Sequence, residues 1–84
     1  MSRVVVKYRG HLVSLTGVKE ESFDAADIKG LLNSLKSRYS REAEKAARSM
    51  LITVNGESIH LLRHYKTTLQ GGDVIGFFPI CAGG

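Results

Sequence analysis

Cysteine and proline each occur once in this chain, and tryptophan does not occur at all. The lone Cys81 excludes an internal disulfide and a cysteine-built zinc cluster. Long apolar runs are missing too. Met1 leads straight into Ser2-Arg3-Val4-Val5-Val6, with no extended apolar stretch behind it, so the chain reads as cytoplasmic and without a membrane partner. The three histidines lack metal-ligand spacing: His60 and His64 would share a face only on a helix, which residues 59–63 do not suggest, so no metal is expected. Basic residues exceed acidic ones by 12 to 8, for a net charge of +4 and a pI near 9.5. That balance suits an acidic partner surface. The cations are scattered, however, with no basic arm, no aromatic-basic interleaving and no recognition helix, which argues against nucleic acid.

Length bounds the rest. A chain of 84 residues is one domain, and domains this small bury only about 60% of the surface their unfolded chains expose. An apolar content of 43% is ordinary. It suffices for a sheet packed on a helix but not for a deep substrate cavity, so an enzyme acting alone is not expected. No internal repeat or low-complexity tract is present.

What is there is periodic. Val4, Val6 and Tyr8 alternate with Val5, Lys7 and Arg9, the period of a strand with one buried face. Residues 10–17 hold two glycines and a short apolar run and read as a loop, with a returning strand over 18–23. Ile28, Leu31, Leu32, Leu35 and Tyr39 then share one stripe of an amphipathic helix. Its cap is either Asp24, which would place Phe23 and Ile28 as a hydrophobic staple, or Asp27. Gly30, off the stripe, costs about 1 kcal/mol against alanine and has no evident role. Residues 40–49, rich in Glu, Ala, Lys and Arg, suggest a surface helix in which Glu44 and Arg48 face each other at i, i+4.

Leu51-Ile52-Thr53-Val54 reads as a strand, and Asn55-Gly56 supplies the positive-φ pair of a tight hairpin turn. A partner strand over 57–61 should follow, then a basic connection at 63–66 and a single helical turn at 67–69. Gly71-Gly72-Asp73 marks a turn; no helix follows to make it a phosphate loop. Residues 74–79 form the last strand, which Pro79 ends because it has no N–H to pair. A helix crossing one face of a mixed sheet, with first and last strands adjacent at the centre, accommodates this order.

The chain ends Ile80-Cys81-Ala82-Gly83-Gly84. By chance two terminal glycines would occur in roughly one chain in 200 at average usage. Here they follow a strand stopped by a proline, so small residues form a tail suited to entering another protein. A carboxylate is a poor electrophile and must first become a mixed anhydride, which needs ATP and a separate enzyme. Terminal glycines leave the reacting carbonyl unhindered and permit whatever φ/ψ an active site demands.

The ending Gly72-Asp73-Val74-Ile75-Gly76-Phe77-Phe78-Pro79-Ile80-Cys81-Ala82-Gly83-Gly84, together with Val54-Asn55-Gly56-Glu57, resembles the MoaD/ThiS family of ubiquitin-like sulfur carriers, most strongly its molybdopterin synthase small-subunit branch. Two positions depart from the usual ending: Ile80 replaces a second proline, and Cys81 a valine or other small residue. The chain is also more basic than that branch. The resemblance implies an α+β, β-grasp fold, with a mixed sheet of about four to five strands and one main helix across one face. It implies a domain over residues 1–79 and a flexible tail over 80–84.

It also implies chemistry. A MoeB/ThiF-like adenylating enzyme would use ATP to activate Gly84, and sulfur from a sulfurtransferase would convert the adenylate to a thiocarboxylate. That covalent sulfur, on a soft nucleophile, would pass to a pterin precursor inside a MoaE-like large subunit, which carries the catalytic side chains. No permanently bound cofactor is implied. The implied site comprises Gly84 as the reacting residue, with Gly83, Ala82, Cys81, Ile80, Pro79, Phe78 and Phe77 as tail and partner contacts.

Simpler readings stand beside several of these. Phe77 and Phe78 point to opposite faces of a strand, so one is core and the other is either a partner anchor or packed under a loop. Cys81 is a reactive thiol or, more simply, a small apolar residue lining the partner's tunnel. Arg63, His64 and Lys66 dock an activating enzyme or form a solvated loop. The destination of the sulfur also stays open: a carrier for thiazole, cysteine or tRNA thiolation, or a ubiquitin-like modifier joined to lysines, would present the same tail.

Overall fold

The computed structural model of the chain describes residues 2–80. Five strands form one sheet: β1 (Ser2–Lys7), β2 (Glu20–Ala25), β3 (Leu51–Val54), β4 (Glu57–Ser58) and β5 (Val74–Phe78), in the order β2-β1-β5-β3-β4. The first and last strands run parallel at the centre, Val5 opposite Val74 and Lys7 opposite Gly76, and every other pairing is antiparallel. Three helices accompany the sheet: α1 (His11–Thr16), α2 (Ile28–Arg38) and α3 (Arg41–Arg48). This is the β-grasp arrangement, with α2 as its main helix.

Alternation along the strands decides the layers. Val4, Val6 and Tyr8 of the first strand region, Ile52 and Val54 of β3, and Ile75 and Phe77 of β5 are buried against Ile28, Leu31, Leu32 and Leu35 of α2. Asp27 caps α2, its Oδ1 accepting the Gly30 N–H at 2.7 Å, while Asp24 lies within β2 and pairs with Arg3. Gly30 thereby acquires a role. A Cβ there would stand 3.1 Å from the capping Oδ1, tighter than ordinary contact.

Several local expectations are corrected. Residues 10–17 are not a loop: α1 starts after Gly10 and ends at Gly17, whose φ of 79° gives a left-handed C-cap and lets its N–H reach the Val13 carbonyl. Burial of Leu12 offsets the cost of so short a helix. The returning strand is Glu20–Ala25 rather than 18–23, because Phe23 and Ala25 must face the core and Val18 lies outside it. The second helix is not purely superficial. Ser40 caps α3, and Ala43 and Ala47, four apart, are fully buried because their small side chains admit α1 and α2 closely. The Glu44–Arg48 pair forms on its outer side at 3.2 Å.

The Asn55-Gly56 turn has φ of 52° and 85°, as a tight hairpin requires. Its second strand stops at Ser58, whose hydroxyl accepts the His60 N–H and starts a 3-10 turn over Ile59–Leu61 that buries Ile59. The later single turn falls at His64–Lys66, not at 67–69. Residues 67–69 are instead drawn out beside α2's start, where Thr68 bridges Asp27 and the Leu69 N–H donates to the Ala26 carbonyl.

One polar clasp ties β1, β2 and α2 together. Glu21 Oε2 accepts the hydroxyls of Tyr8 and Tyr39, both at 2.6 Å, and Oε1 accepts from Arg38 at 3.0 Å. Burial, reinforced by the bond to Glu21, pushes the Tyr8 hydroxyl far above the usual tyrosine range and that of Tyr39 up to about 12. No helix among the described residues is long and apolar enough to cross a membrane.

Candidate functional site at the end of the central strand

β5 is held on both sides, by β1 and β3, so the chain leaves the sheet from its central strand. Phe77 and Phe78 divide at this point as their opposite orientation demands. Phe77 is fully buried and stacks on Tyr8, ring centroids 6.2 Å apart. It has no surface to offer, so of the two rings expected at the partner contact only Phe78 is available. That ring is half-buried on the open face of the sheet, and the Arg9 guanidinium lies 5.4 Å from its centroid.

Two glycines make this geometry possible. A Cβ on Gly76 would stand 2.6 Å from the Phe78 ring and 2.9 Å from Thr53 Oγ1, so a bare backbone here allows the ring to lie back across its own strand. Gly10, at φ +62°, would place a Cβ 2.7 Å from Cγ of Pro79. The proline ring therefore sits directly on Gly10, which sets where the chain turns out of the sheet. Pro79 and Ile80 follow at the surface, Ile80 being 59% exposed. Cys81, Ala82, Gly83 and Gly84 lie outside the described residues.

The recess beside Phe78 is lined by charge of one sign. Lys7 and Arg9, two apart on one side of the first strand, line a pocket of about 230 Å³ with Thr53, Gly56, Val74, Gly76 and Phe78. Sequence reasoning assigned none of Lys7, Arg9, Gly10, Thr53 or Gly76 to a site. An isolated glycine within a strand pattern, as at Gly76, was the legible signal of a close approach. The basic connection behaves differently. Arg63, His64 and Lys66 are exposed and do not line that pocket, with His64 stacked edge-on between His60 and Tyr65, at 4.7 and 4.5 Å.

Comparison with known families is decisive here: the ThiS family model matches residues 6–84. The chain belongs to the ThiS family. No curated protein matches the sequence. Among solved structures, small archaeal modifier protein 1 of Methanosarcina acetivorans is 27% identical and superposes with a TM-score of 0.85, covering 100% of this chain and 98% of that one. A putative molybdopterin converting factor, subunit 1, of Pyrococcus furiosus is 26% identical, with a TM-score of 0.71 and coverage of 94% and 98%. A chain in the complex of subunits 1 and 2 of the Helicobacter pylori molybdopterin-converting factor shares the fold at 23% identity and a TM-score of 0.69, covering 98% and 99%. As a ThiS-family chain this is a small ubiquitin-like sulfur-carrier fold, and the spread of relatives between modifier and converting-factor roles leaves the pathway to chemical argument.

Proposed function

We propose that the chain carries sulfur on the Gly84 carboxylate and delivers it in molybdopterin biosynthesis, as the small subunit of a two-subunit synthase. What supports this reading is the reach of the ThiS-family match through residue 84, joined to a central strand whose end is pinned between Phe78 and Gly10. A rigid departure point followed by small residues suits delivery of one carbonyl into another protein's active site. The Gly84 carboxylate attacks the α-phosphate of ATP on a MoeB/ThiF-like enzyme and expels pyrophosphate. A sulfide equivalent from a sulfurtransferase then adds at the carbonyl and AMP leaves, so the thiocarboxylate holds sulfur in place of one oxygen. Inside a MoaE-like subunit that sulfur attacks a carbon of the pterin precursor and displaces an oxygen substituent. Water then cleaves the resulting thioester, which leaves the sulfur on the pterin and restores the Gly84 carboxylate. The catalytic side chains belong to the MoaE-like subunit. Pro79, Ile80, Cys81, Ala82 and Gly83 are the stem that enters the tunnel.

Incubation with the activating enzyme, ATP and a sulfur source should raise the intact mass by one oxygen-for-sulfur exchange. An unchanged mass in the presence of an enzyme that consumes ATP would sink the proposal. The likeness to an archaeal modifier protein favours a second reading, in which Gly84 is joined to lysines of other proteins. Accumulation in cells of high-mass adducts that vanish in a Gly84-deleted chain would favour it over the first.

A further inference from the structure

The pocket between Lys7, Arg9 and Phe78 has the makings of a receptor. Lys7 and Arg9 are in no ion pair or hydrogen bond to an acidic side chain among the described residues. The nearest candidate acid, Glu20, stands opposite Lys7 across the β1–β2 ladder without closing to an ion pair. Arg9 holds its guanidinium carbon 5.4 Å from the centroid of the Phe78 ring, a cation–π contact that occupies none of its N–H donors with an acidic partner. Thr53, largely buried, lines the same pocket; its hydroxyl makes no hydrogen bond among the described residues, and because no fully buried polar side-chain atom among them lacks a partner, that hydroxyl is open to the recess. Gly76 supplies no side chain to fill the space beneath.

Two cations without an ion-pair partner among the described residues and an accessible hydroxyl, around a recess walled by Phe78 and Val74, match a short apolar stem ending in a carboxylate. The geometry points to this recess as the docking pocket for an aspartate or glutamate side chain of the protein that takes up the tail. The inference rests on the tail reading above, because the pocket adjoins the departure point. Phe78 is its wall, Pro79 is the next residue, and Arg9 precedes the glycine on which Pro79 sits. A protein that engulfs residues 80–84 therefore also covers the recess. A nucleic-acid strand fits less well, since it asks for a line of free cations, and Arg3, the next cation along this strand, is already paired with Asp24 at 3.3 Å. A larger depression of about 460 Å³ between β2 and α2 is open, and its one cation, Arg38, is held by Glu21.

The test uses the full chain with an adenylating enzyme from the same organism and reads ATP–pyrophosphate exchange against carrier concentration. Lys7→Glu should raise KM roughly 10-fold or more with kcat within about twofold, since a docking charge acts on binding rather than on the chemical step. Lys7→Arg should stay near wild type. An unchanged KM for Lys7→Glu beside an active wild type overturns the pocket while leaving the tail reading intact; a wild type that is never adenylated overturns both. An independent measurement needs no enzyme. Millimolar N-acetylglutamate N-methylamide should shift the amide resonances of Lys7, Thr53 and Gly76 more than its glutamine analogue does. No shift, equal shifts from the two, or stronger shifts with inorganic phosphate would overturn the assignment to a carboxylate side chain.

Discussion

On the helix-covered side of the sheet Val4, Val6, Ile75 and Phe77 are sealed from solvent, whereas one residue away along the same strands Val5, Lys7, Val74 and Phe78 stand at an open surface. The covered side is filled with close-packed aliphatic and aromatic groups, and its one buried polar cluster, around Glu21, has every partner supplied. The open side holds, among the described residues, two cations without an ion-pair partner, a hydroxyl open to a recess, and Gly76, where a Cβ would strike the Phe78 ring. The contrast teaches that the first side is answerable to stability, while the second is the side left free for the docking proposed above.

The sharpest way to break that comparison is to truncate the two adjacent rings. Phe77→Ala should cost about 3–5 kcal/mol, enough to unfold much of so small a domain, because a buried cavity remains. Phe78→Ala should cost about 1 kcal/mol and act mainly on partner binding. Urea denaturation followed by circular dichroism reads both, and equal losses would dissolve the distinction between the faces. Gly76→Val tests the open side from within. Its branched side chain would drive into the Phe78 ring and Thr53, so about 1–3 kcal/mol should be lost and the Phe78 resonances displaced.

Gly10→Ala probes the hinge between the two sides. At φ 62° and ψ −135° Gly10 occupies a region that an L-residue enters at a cost on the order of 1–3 kcal/mol, and its methyl would push Pro79 off its seat, so adenylation of Gly84 should slow and stability should fall. Replacing Pro79 by alanine as well should restore part of the rate, which a merely structural loss would not allow.

The covered side also makes a pH prediction. Tyr39 titrates at 10.0 when unperturbed and near 12 in the fold, and Tyr8 lies higher still. The folded chain therefore holds more protons than the unfolded one above pH 10, so its stability is complete below that value and falls as pH rises toward 12. Thermal midpoints should drop across that window, and less steeply in the Tyr8→Phe, Tyr39→Phe double variant. Smallest of all, Arg3→Ala removes an ion pair at 71% and 56% exposure and should change stability by within about 0.5 kcal/mol in urea.

Much of this architecture was legible because it is written in short-range patterns. Alternation marked β1, the three-and-four spacing marked α2, Asn55-Gly56 marked the hairpin, and connection rules accommodated the first and last strands side by side at the centre of the sheet. The misreadings share one cause. Residues 10–17 are too short and too rich in glycine to form a helix on local propensity, and become one only because Leu12 is buried beneath them. Ala43 and Ala47 looked superficial because alanine carries little apolar weight, and only helix-on-helix approach made them core. The second hairpin strand ended early because Ser58 could cap a turn whose burial of Ile59 was not visible locally.

The site divides in the same way. The Gly83-Gly84 pair, Pro79 and the adjacent rings are read directly from the sequence, and the sequence by itself determined the family, the β-grasp order and the class of chemistry proposed for the tail. Which ring faces outward, why Gly10 and Gly76 must be glycine, and that Lys7, Arg9 and Thr53 surround one recess beside Phe78 were decided by tertiary structure alone. The physical reason is distance along the chain. Gly10 meets Pro79, and Thr53 meets Gly76, only after β1, β3 and β5 have paired across tens of intervening residues, and no local pattern encodes a contact that packing creates.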